Sequence, residues 1–237
     1  MSTDELGGAH ALAVVTGSGA GIGLAIARRL LDAGWRVAGL DIGPAAIDHP
    51  AYRHLSVDLC SADATRAACA ALQDAGALVH AAGILRVGEL EQLDPADGLR
   101  MWTLHVDAAT RLAQALIPVM AQRGAGRVVL IGSRVAQGMP GRSQYAATKA
   151  ALVAMARSWA AEFAARGVTV NVVSPAATQT GMLSDPARAA SMPRLPPIGR
   201  LIQPQEIAAL VDFLLKPEAA AITGQDIAIC GGASLPR

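Results

Sequence analysis

The distribution of apolar residues along the chain predicts alternating strands and helices. Short apolar runs, such as LAVVT at 12–16, are separated by longer stretches in which apolar residues recur at helical spacing. The runs predict seven strands, at 12–16, 36–41, 53–58, 77–80, 126–132, 168–174 and 225–229. The stretches between them predict helices near 22–33, 62–74, 97–123, 143–165 and 204–215.

Near-continuous apolar strands that alternate with helices are typical of a parallel sheet covered on both faces. We therefore expect an α/β fold, a Rossmann-like doubly wound parallel sheet of about seven strands. No repeat or change of composition marks a second domain, so residues 1–237 are expected to form a single domain. The proline-rich segment 181–201 predicts a loop over the substrate, although a plain surface loop fits its sequence equally well.

Composition narrows the classes of function. Hydrophobic residues make up 52% of the chain and aromatic residues only 3%, so the core must consist mainly of Ala, Val, Leu and Ile. A net charge of +1 without a basic cluster gives no attraction for nucleic acid or anionic membranes. No charge-free apolar run is long enough to span a bilayer, and the N-terminal MSTDELGG lacks the pattern of a secretion signal. The three cysteines show no C-x-x-C spacing, which favours reduced thiols and a cytoplasmic location.

A glycine-rich segment follows the first predicted strand. In TGSGAGIG, glycines stand at positions 17, 19, 21 and 23, and no frame of G-x-G-x-x-G fits them. Glycines at a strand-to-helix turn allow the backbone to approach a pyrophosphate at the helix N-terminus. By itself, however, the cluster also fits a plain turn.

Asp41 strengthens the nucleotide interpretation. It ends the second predicted strand at about the distance from the glycines where a dinucleotide site places an acid on the ribose hydroxyls. A carboxylate there also repels the 2′-phosphate of NADP, and Ser18, Ala20 and Ile42 offer no compensating positive charge. We therefore predict NAD as the cofactor.

Ser133, Tyr145 and Lys149 are the candidate catalytic residues. Ser133 follows the fifth predicted strand, and Tyr145 and Lys149 share one face of the next helix. Free tyrosine, with a pKa of about 10, is a poor base, but a nearby ammonium group stabilises its phenolate. The serine can hydrogen-bond a substrate oxygen while its charge changes. A Tyr-x-x-x-Lys pair is common by chance; its place downstream of the glycine segment favours hydride-transfer chemistry.

Together these motifs resemble the short-chain dehydrogenase/reductase family over essentially the whole chain. Thr16, Gly17, Gly21 and Gly23 match its T-G-x-x-x-G-x-G loop, and the Ser, Tyr and Lys match its catalytic residues. The resemblance implies hydride transfer between a secondary alcohol or ketone and NAD, and a homo-oligomer, dimer or tetramer, paired through helices 97–123 and 143–165. The cofactor contacts that it implies are Gly17, Ser18, Gly21, Ile22, Gly23, Asp41, Ile42, Asp58, Leu59, Ala81, Ala82, Gly83, Tyr145, Lys149, Pro175, Ala176, Thr178 and Thr180.

The sequence departs from the family pattern at three places. His80 begins HAAG where the family has Asn-Asn-Ala-Gly or Asn-Ala-Ala-Gly, and Ala176 replaces the glycine of a Pro-Gly pair. His105 stands where the family's catalytic Asn holds a relay water with its carbonyl and fixes a local helix distortion with its side chain. We expect activity to persist, weakened or with an altered pH dependence. For both histidines a satisfied polar role is favoured over new catalysis, and no second ligand accompanies either at a metal-binding spacing.

Three segments, 78–93, 171–180 and 222–232, resemble family members that oxidise a ring alcohol of a hydroxylated acid with NAD in siderophore biosynthesis. A carboxylate-bearing substrate needs a cationic partner. The predicted substrate contacts are Arg86, Ser133, Arg134, Arg142 and Tyr145. The alternatives are a 3-oxoacyl carrier-protein reductase, a general carbonyl reductase, or a non-catalytic NAD-binding scaffold or sensor.

Overall fold

Seven parallel strands form one sheet in the computed structural model, which describes residues 11–184 and 194–235. The N-terminal segment and residues 185–193 of the predicted substrate loop lie outside the described residues. The strands are β1 (Leu12–Thr16), β2 (Arg36–Asp41), β3 (Tyr52–Ser56), β4 (Ala75–His80), β5 (Gly126–Ile131), β6 (Val168–Pro175) and β7 (Asp226–Ile229). Their order across the sheet is β3-β2-β1-β4-β5-β6-β7.

Helices cover both faces of the sheet. They are α1 (Gly21–Asp32), α2 (Ala62–Ala70), α3 (Pro95–Trp102), α4 (Ala108–Gln122), α5 (Ser143–Phe163) and α6 (Pro204–Leu215). Helices α1 and α6 pack on one face, and α2, α4 and α5 pack on the other. The predicted doubly wound, Rossmann-like sheet in a single domain is confirmed.

The two covered faces explain why the central strands are mainly apolar. Successive residues of a strand point to opposite faces. In β1, Val15 joins the core beneath α1 with Ile26, whereas Val14 joins the core beneath α4 with Leu112. Because both faces of β1, β4, β5 and β6 are buried, few of their positions are polar, whereas the edge strands β3 and β7 are partly exposed.

The strand order reverses between β1 and β4. The chain leaves β1 toward β2 and β3, and then crosses back to form β4 on the other side of β1. The loops that follow β1 and β4 therefore diverge and open a crevice at the carboxyl edge of the sheet, where ligands bind in open α/β sheets.

The predicted helix 97–123 is interrupted. Helix α3 ends at Trp102, a π-helical turn spans Thr103–Asp107, and α4 begins at Ala108. The turn contains His105, whose ring is fully buried and bonds outside its own helix. The third strand is also shorter than predicted, since Asp58 accepts the Cys60 N–H in a side-chain turn.

Candidate active site

A cavity of about 1270 Å³ opens at the carboxyl edge of the sheet. This volume exceeds the roughly 300–1,000 Å³ of common small-molecule pockets, as a site for a dinucleotide and a substrate requires. Its walls include most of the predicted site residues: Gly17, Gly21, Ile22, Gly23, Asp41, Ile42, Asp58, Leu59, Ala81, Ala82, Gly83, Ser133, Arg134, Arg142, Tyr145, Lys149, Pro175, Ala176, Thr178 and Thr180. Ser18, Arg86 and His105 are predicted site residues that do not line it.

Close backbone contacts explain the glycines of the loop between β1 and α1. Gly17 has a φ of +68°, and a Cβ on it would lie 2.8 Å from the Cα of Ala82. A Cβ on Gly23 would lie 2.1 Å from the carbonyl oxygen of Gly17. The loop leads into the first turn of α1, which carries no acidic residue and whose N-cap, Ala20, makes no side-chain hydrogen bond. These N–H groups suit an anion such as a pyrophosphate.

Two backbone amides hold the carboxylate of Asp41 in the cavity wall. The N–H of Gly19 donates to Oδ2 and the N–H of Gly43 donates to Oδ1, each at 2.8 Å. Ser18, beside Gly19, is buried, and its hydroxyl is 3.0 Å from that of Tyr52. The side chain of Ser18 therefore stabilises the loop from behind, while Asp41 faces the cavity.

His80 anchors the loop after β4. The hydroxyl oxygen of Thr16 accepts the N–H groups of Ala81 and Ala82, both at 3.0 Å, and lies 3.0 Å from Nδ1 of His80. Because two N–H groups occupy the oxygen lone pairs, the hydroxyl proton is donated to Nδ1. Burial, reinforced by the charge of Lys149, lowers the pKa of His80 to about 3. The neutral ring of His80 thus helps to fix the loop after β4, at a position where the family has an asparagine.

Ser133, Tyr145 and Lys149 meet in the cavity. Lys149 is buried, its Nζ donates to the carbonyl of Ile131 at 2.9 Å, and it lies 5.7 Å from the ring centroid of Tyr145. Burial lowers the pKa of Lys149 to about 7. Ser133 lies two residues after the end of β5, and its side-chain oxygen accepts the Val135 N–H at 3.2 Å. Since that oxygen acts as the acceptor, its own proton remains available for a substrate oxygen.

His105 lies behind these residues. Its Nε2 accepts the Ile84 N–H at 3.0 Å, and its Nδ1 lies 2.8 Å from the hydroxyl oxygen of Thr148. The ring packs edge-on against Tyr145, with centroids 5.7 Å apart. Burial, with Lys149 and His80, holds the pKa of His105 well below its ordinary value. The sequence gives no signal for Thr148 beyond its place beside Lys149.

The predicted substrate arginines divide into two groups. Arg134 and Arg142 line the cavity, together with Arg100 and Arg194, which no motif marks in the sequence. Arg86 does not: its Nε lies 3.6 Å from Asp97, and its guanidinium donates to the Leu85 carbonyl at 3.1 Å. Asp97 of α3 holds the guanidinium of Arg86 beside the residues that line the cavity, so a substrate contact by Arg86 stays a prediction.

Charge in the cavity wall is unevenly distributed. The acidic residues that line the cavity, within the described chain, are Asp41, which ends β2, and Asp58, which follows β3. Nowhere in residues 11–184 and 194–235 do three or more His, Cys, Asp or Glu side chains gather as they would around a metal ion. None of the helices in the described ranges is both long and apolar enough to cross a bilayer.

Comparison with known proteins agrees with the fold. A family model described as Enoyl-(Acyl carrier protein) reductase matches residues 17–234. The 3-oxoacyl-(acyl-carrier-protein) reductase of Vibrio harveyi is 36% identical, covering 93% of this chain and 96% of that protein. The 2,3-dihydro-2,3-dihydroxybenzoate dehydrogenase of Escherichia coli is 35% identical, with the same coverage of 93% and 96%.

A solved structure of a short-chain dehydrogenase/reductase family protein superposes with a TM-score of 0.87 at 36% identity, covering 94% of this chain and 96% of that one. The chain belongs to the short-chain dehydrogenase/reductase family and is an oxidoreductase. Relatives with different substrates are about equally similar to it, so identity alone does not select a substrate.

Proposed function

We propose that this oxidoreductase uses NAD to oxidise a secondary alcohol of a cyclic hydroxy acid, such as 2,3-dihydro-2,3-dihydroxybenzoate. The observation that carries the proposal is the placement of Asp41 in the same cavity as Ser133, Tyr145 and Lys149. NAD, when bound, supplies the hydride acceptor. The reaction is reversible, so the same residues serve reduction of the corresponding ketone.

The residues fit NAD better than NADP. Gly17 and Gly23 leave room for a pyrophosphate beside the first turn of α1, and Asp41 presents its carboxylate where the ribose hydroxyls would bind. Because Gly19 and Gly43 hold this carboxylate in place, it would lie against a 2′-phosphate. Ala20 and Ile42, which line the same region, bring no cation.

Tyr145 takes the proton of the substrate hydroxyl in the proposed mechanism. In its charged form, Lys149 stabilises the phenolate of Tyr145, because its Nζ lies 5.7 Å from the centroid of the tyrosine ring. Ser133 donates its hydroxyl proton to the substrate oxygen and fixes that oxygen beside Tyr145. The burial of Lys149, which brings its pKa to about 7, makes proton transfer through Lys149 feasible near neutral pH.

Arg134 and Arg142 support an anionic substrate. Each is adjacent in sequence to a catalytic segment, and both line the cavity. A guanidinium group binds a carboxylate with two parallel hydrogen bonds, which orients a ring acid as well as attracting it. The relative that oxidises 2,3-dihydro-2,3-dihydroxybenzoate, at 35% identity, supports this class of substrate.

The deciding experiment measures NADH formation from NAD and NADPH formation from NADP by the purified protein. The panel contains 2,3-dihydro-2,3-dihydroxybenzoate, the same dihydrodiol without its carboxylate, simple cyclic alcohols and a 3-hydroxyacyl thioester. We expect NAD and the carboxylated ring to give the highest kcat/KM. Highest activity with the thioester and NADP would contradict the proposal.

A 3-oxoacyl carrier-protein reductase is the second candidate, with a general carbonyl reductase beside it. The relative from Vibrio harveyi, at 36% identity, favours the former. A third candidate is an NAD-binding scaffold or sensor without turnover, which NAD binding without NADH formation on the whole panel would support.

We also propose a cytoplasmic homo-oligomer, dimer or tetramer, paired through α4 and α5; light scattering of the purified protein measures its mass.

A further inference from the structure

A directed chain of hydrogen bonds passes behind the catalytic tyrosine. The Ile84 N–H donates to Nε2 of His105 at 3.0 Å. An amide N–H can only donate, so Nε2 is unprotonated and the ring proton of the neutral imidazole is on Nδ1. Nδ1 therefore donates to the hydroxyl oxygen of Thr148, 2.8 Å away. The Thr148 hydroxyl in turn donates to the backbone carbonyl of Tyr145 at 2.9 Å.

This series of hydrogen bonds connects three separate elements. Ile84 follows the loop 81–83 that lines the cavity, His105 lies in the π-helical turn, and Thr148 lies in the first turns of α5 between Tyr145 and Lys149. The space around the ring is filled, since a Cβ on Gly83 would lie 3.0 Å from Nε2 of His105. The position of Tyr145 relative to the cavity loop is thus set partly through Thr148.

The surroundings of His105 keep it neutral. The ring is fully buried, and the titratable groups that face it are Lys149 and Tyr145 from α5 and His80 from β4. Desolvation, the charge of Lys149 and His80 all hold the pKa of His105 well below its ordinary value. A ring that stays neutral in one tautomer does not exchange protons during turnover, so its effect on the reaction is one of position.

We propose that Thr148, acting through His105, is a positioning residue for Tyr145. The hydroxyl of Thr148 accepts from His105 and donates to Tyr145, and so holds the start of α5 at a set distance from the loop 81–84. An imidazole at position 105 is long enough to contact both Ile84 and Thr148. The inference concerns the proposed dehydrogenase reaction and rests on that function.

The first test compares Thr148→Val with Thr148→Ser. Valine keeps the shape of threonine and loses both hydrogen bonds, whereas serine keeps them. We expect Thr148→Val to lower kcat about 10-fold and to leave KM for NAD and alcohol within about two-fold, since a slightly misplaced base affects chemistry more than binding. Thr148→Ser should restore kcat. Wild-type kcat in Thr148→Val, or no restoration by serine, would overturn the inference.

The second test needs no turnover and so separates this inference from the proposed function. Long-range ¹⁵N–¹H spectra report the tautomer of each of the five histidines in the chain, and His105→Asn assigns the signal of His105. We expect a neutral Nδ1–H ring between about pH 5 and pH 8 in the wild type and in Thr148→Ser. A charged or Nε2–H ring in the wild type would overturn the inference, even where Thr148→Val fails to fold.

Discussion

The carboxylate of Asp41 lies directly against the backbone of Gly19. The Gly19 N–H donates to Oδ2 at 2.8 Å, and a Cβ on Gly19 would lie 3.0 Å from the same oxygen. The T-G-x-x-x-G-x-G spacing leaves position 19 variable. In this protein, however, a glycine there allows Asp41 to reach the loop.

Gly19→Ala should weaken NAD binding. The φ of Gly19 is not in the left-handed region, so alanine brings no backbone strain, and its methyl group instead displaces Asp41. We expect KM for NAD to rise about five-fold, as the loss of one hydrogen bond predicts, with a smaller preference for NAD over NADP. Steady-state kinetics with both cofactors measure the change. Gly88→Ala is the control, since a Cβ there makes ordinary contacts at 3.4 Å or more.

Tyr145→Phe should abolish most of the catalysis without loss of NAD binding. Removal of a general base costs about 10²- to 10⁴-fold in kcat. The control is Tyr52→Phe, because Tyr52 is the other tyrosine of the chain and bonds Ser18 away from the cavity. Equal loss of kcat in both variants would show that Tyr145 has no special role.

Lys149→Met should inactivate the protein and stabilise it at neutral pH. Burial lowers the pKa of Lys149 from 10.5 to about 7, so between these values the unfolded chain binds more protons and stability rises with pH. The cost of the buried lysine is therefore largest at and below pH 7, where we expect the variant to be about 2–4 kcal/mol more stable. The difference should shrink toward pH 10.5; urea unfolding at several pH values measures it.

His105→Asn should make the protein less sensitive to acid. The pKa of His105 is held well below 6.5, so as pH falls below 6.5 the unfolded chain takes up a proton that the folded chain does not. One such histidine costs about 2 kcal/mol of unfolding free energy between pH 8 and pH 5. We expect the variant to lose about that much less than the wild type over this range. His80, with a pKa of about 3, contributes its own loss in both proteins.

Arg142→Ala and Arg134→Ala should each raise KM for a carboxylate substrate about 10-fold, as the loss of a hydrogen bond to a charged group predicts. A ring alcohol without a carboxylate should show no such change. Arg86→Ala is the comparison, because Arg86 faces Asp97 and does not line the cavity. A larger KM effect in Arg86→Ala than in the two other variants would place the carboxylate elsewhere.

The periodic and local features of the chain were predictable from the sequence. The runs along the sequence predicted the seven strands, most clearly the central ones, because strands buried on both faces leave few positions for polar residues. The glycines at 17 and 23 were recognisable because only glycine tolerates the close contacts of that loop. Asp41, Ser133, Tyr145 and Lys149 followed from their places at strand ends and on one helix face.

The tertiary structure decided the features that depend on residues distant in sequence. The π-helical turn contains His105, whose ring bonds to Ile84 and Thr148 of other elements, and no periodicity encodes these contacts. The guanidinium of Arg86 pairs with Asp97 because the fold brings α3 beside the loop after β4. Spacing along the chain thus determined which residues are the candidates for the chemistry. Packing between separate elements determined where their side chains point, because a buried polar group must bond to whatever donor or acceptor the fold brings near it.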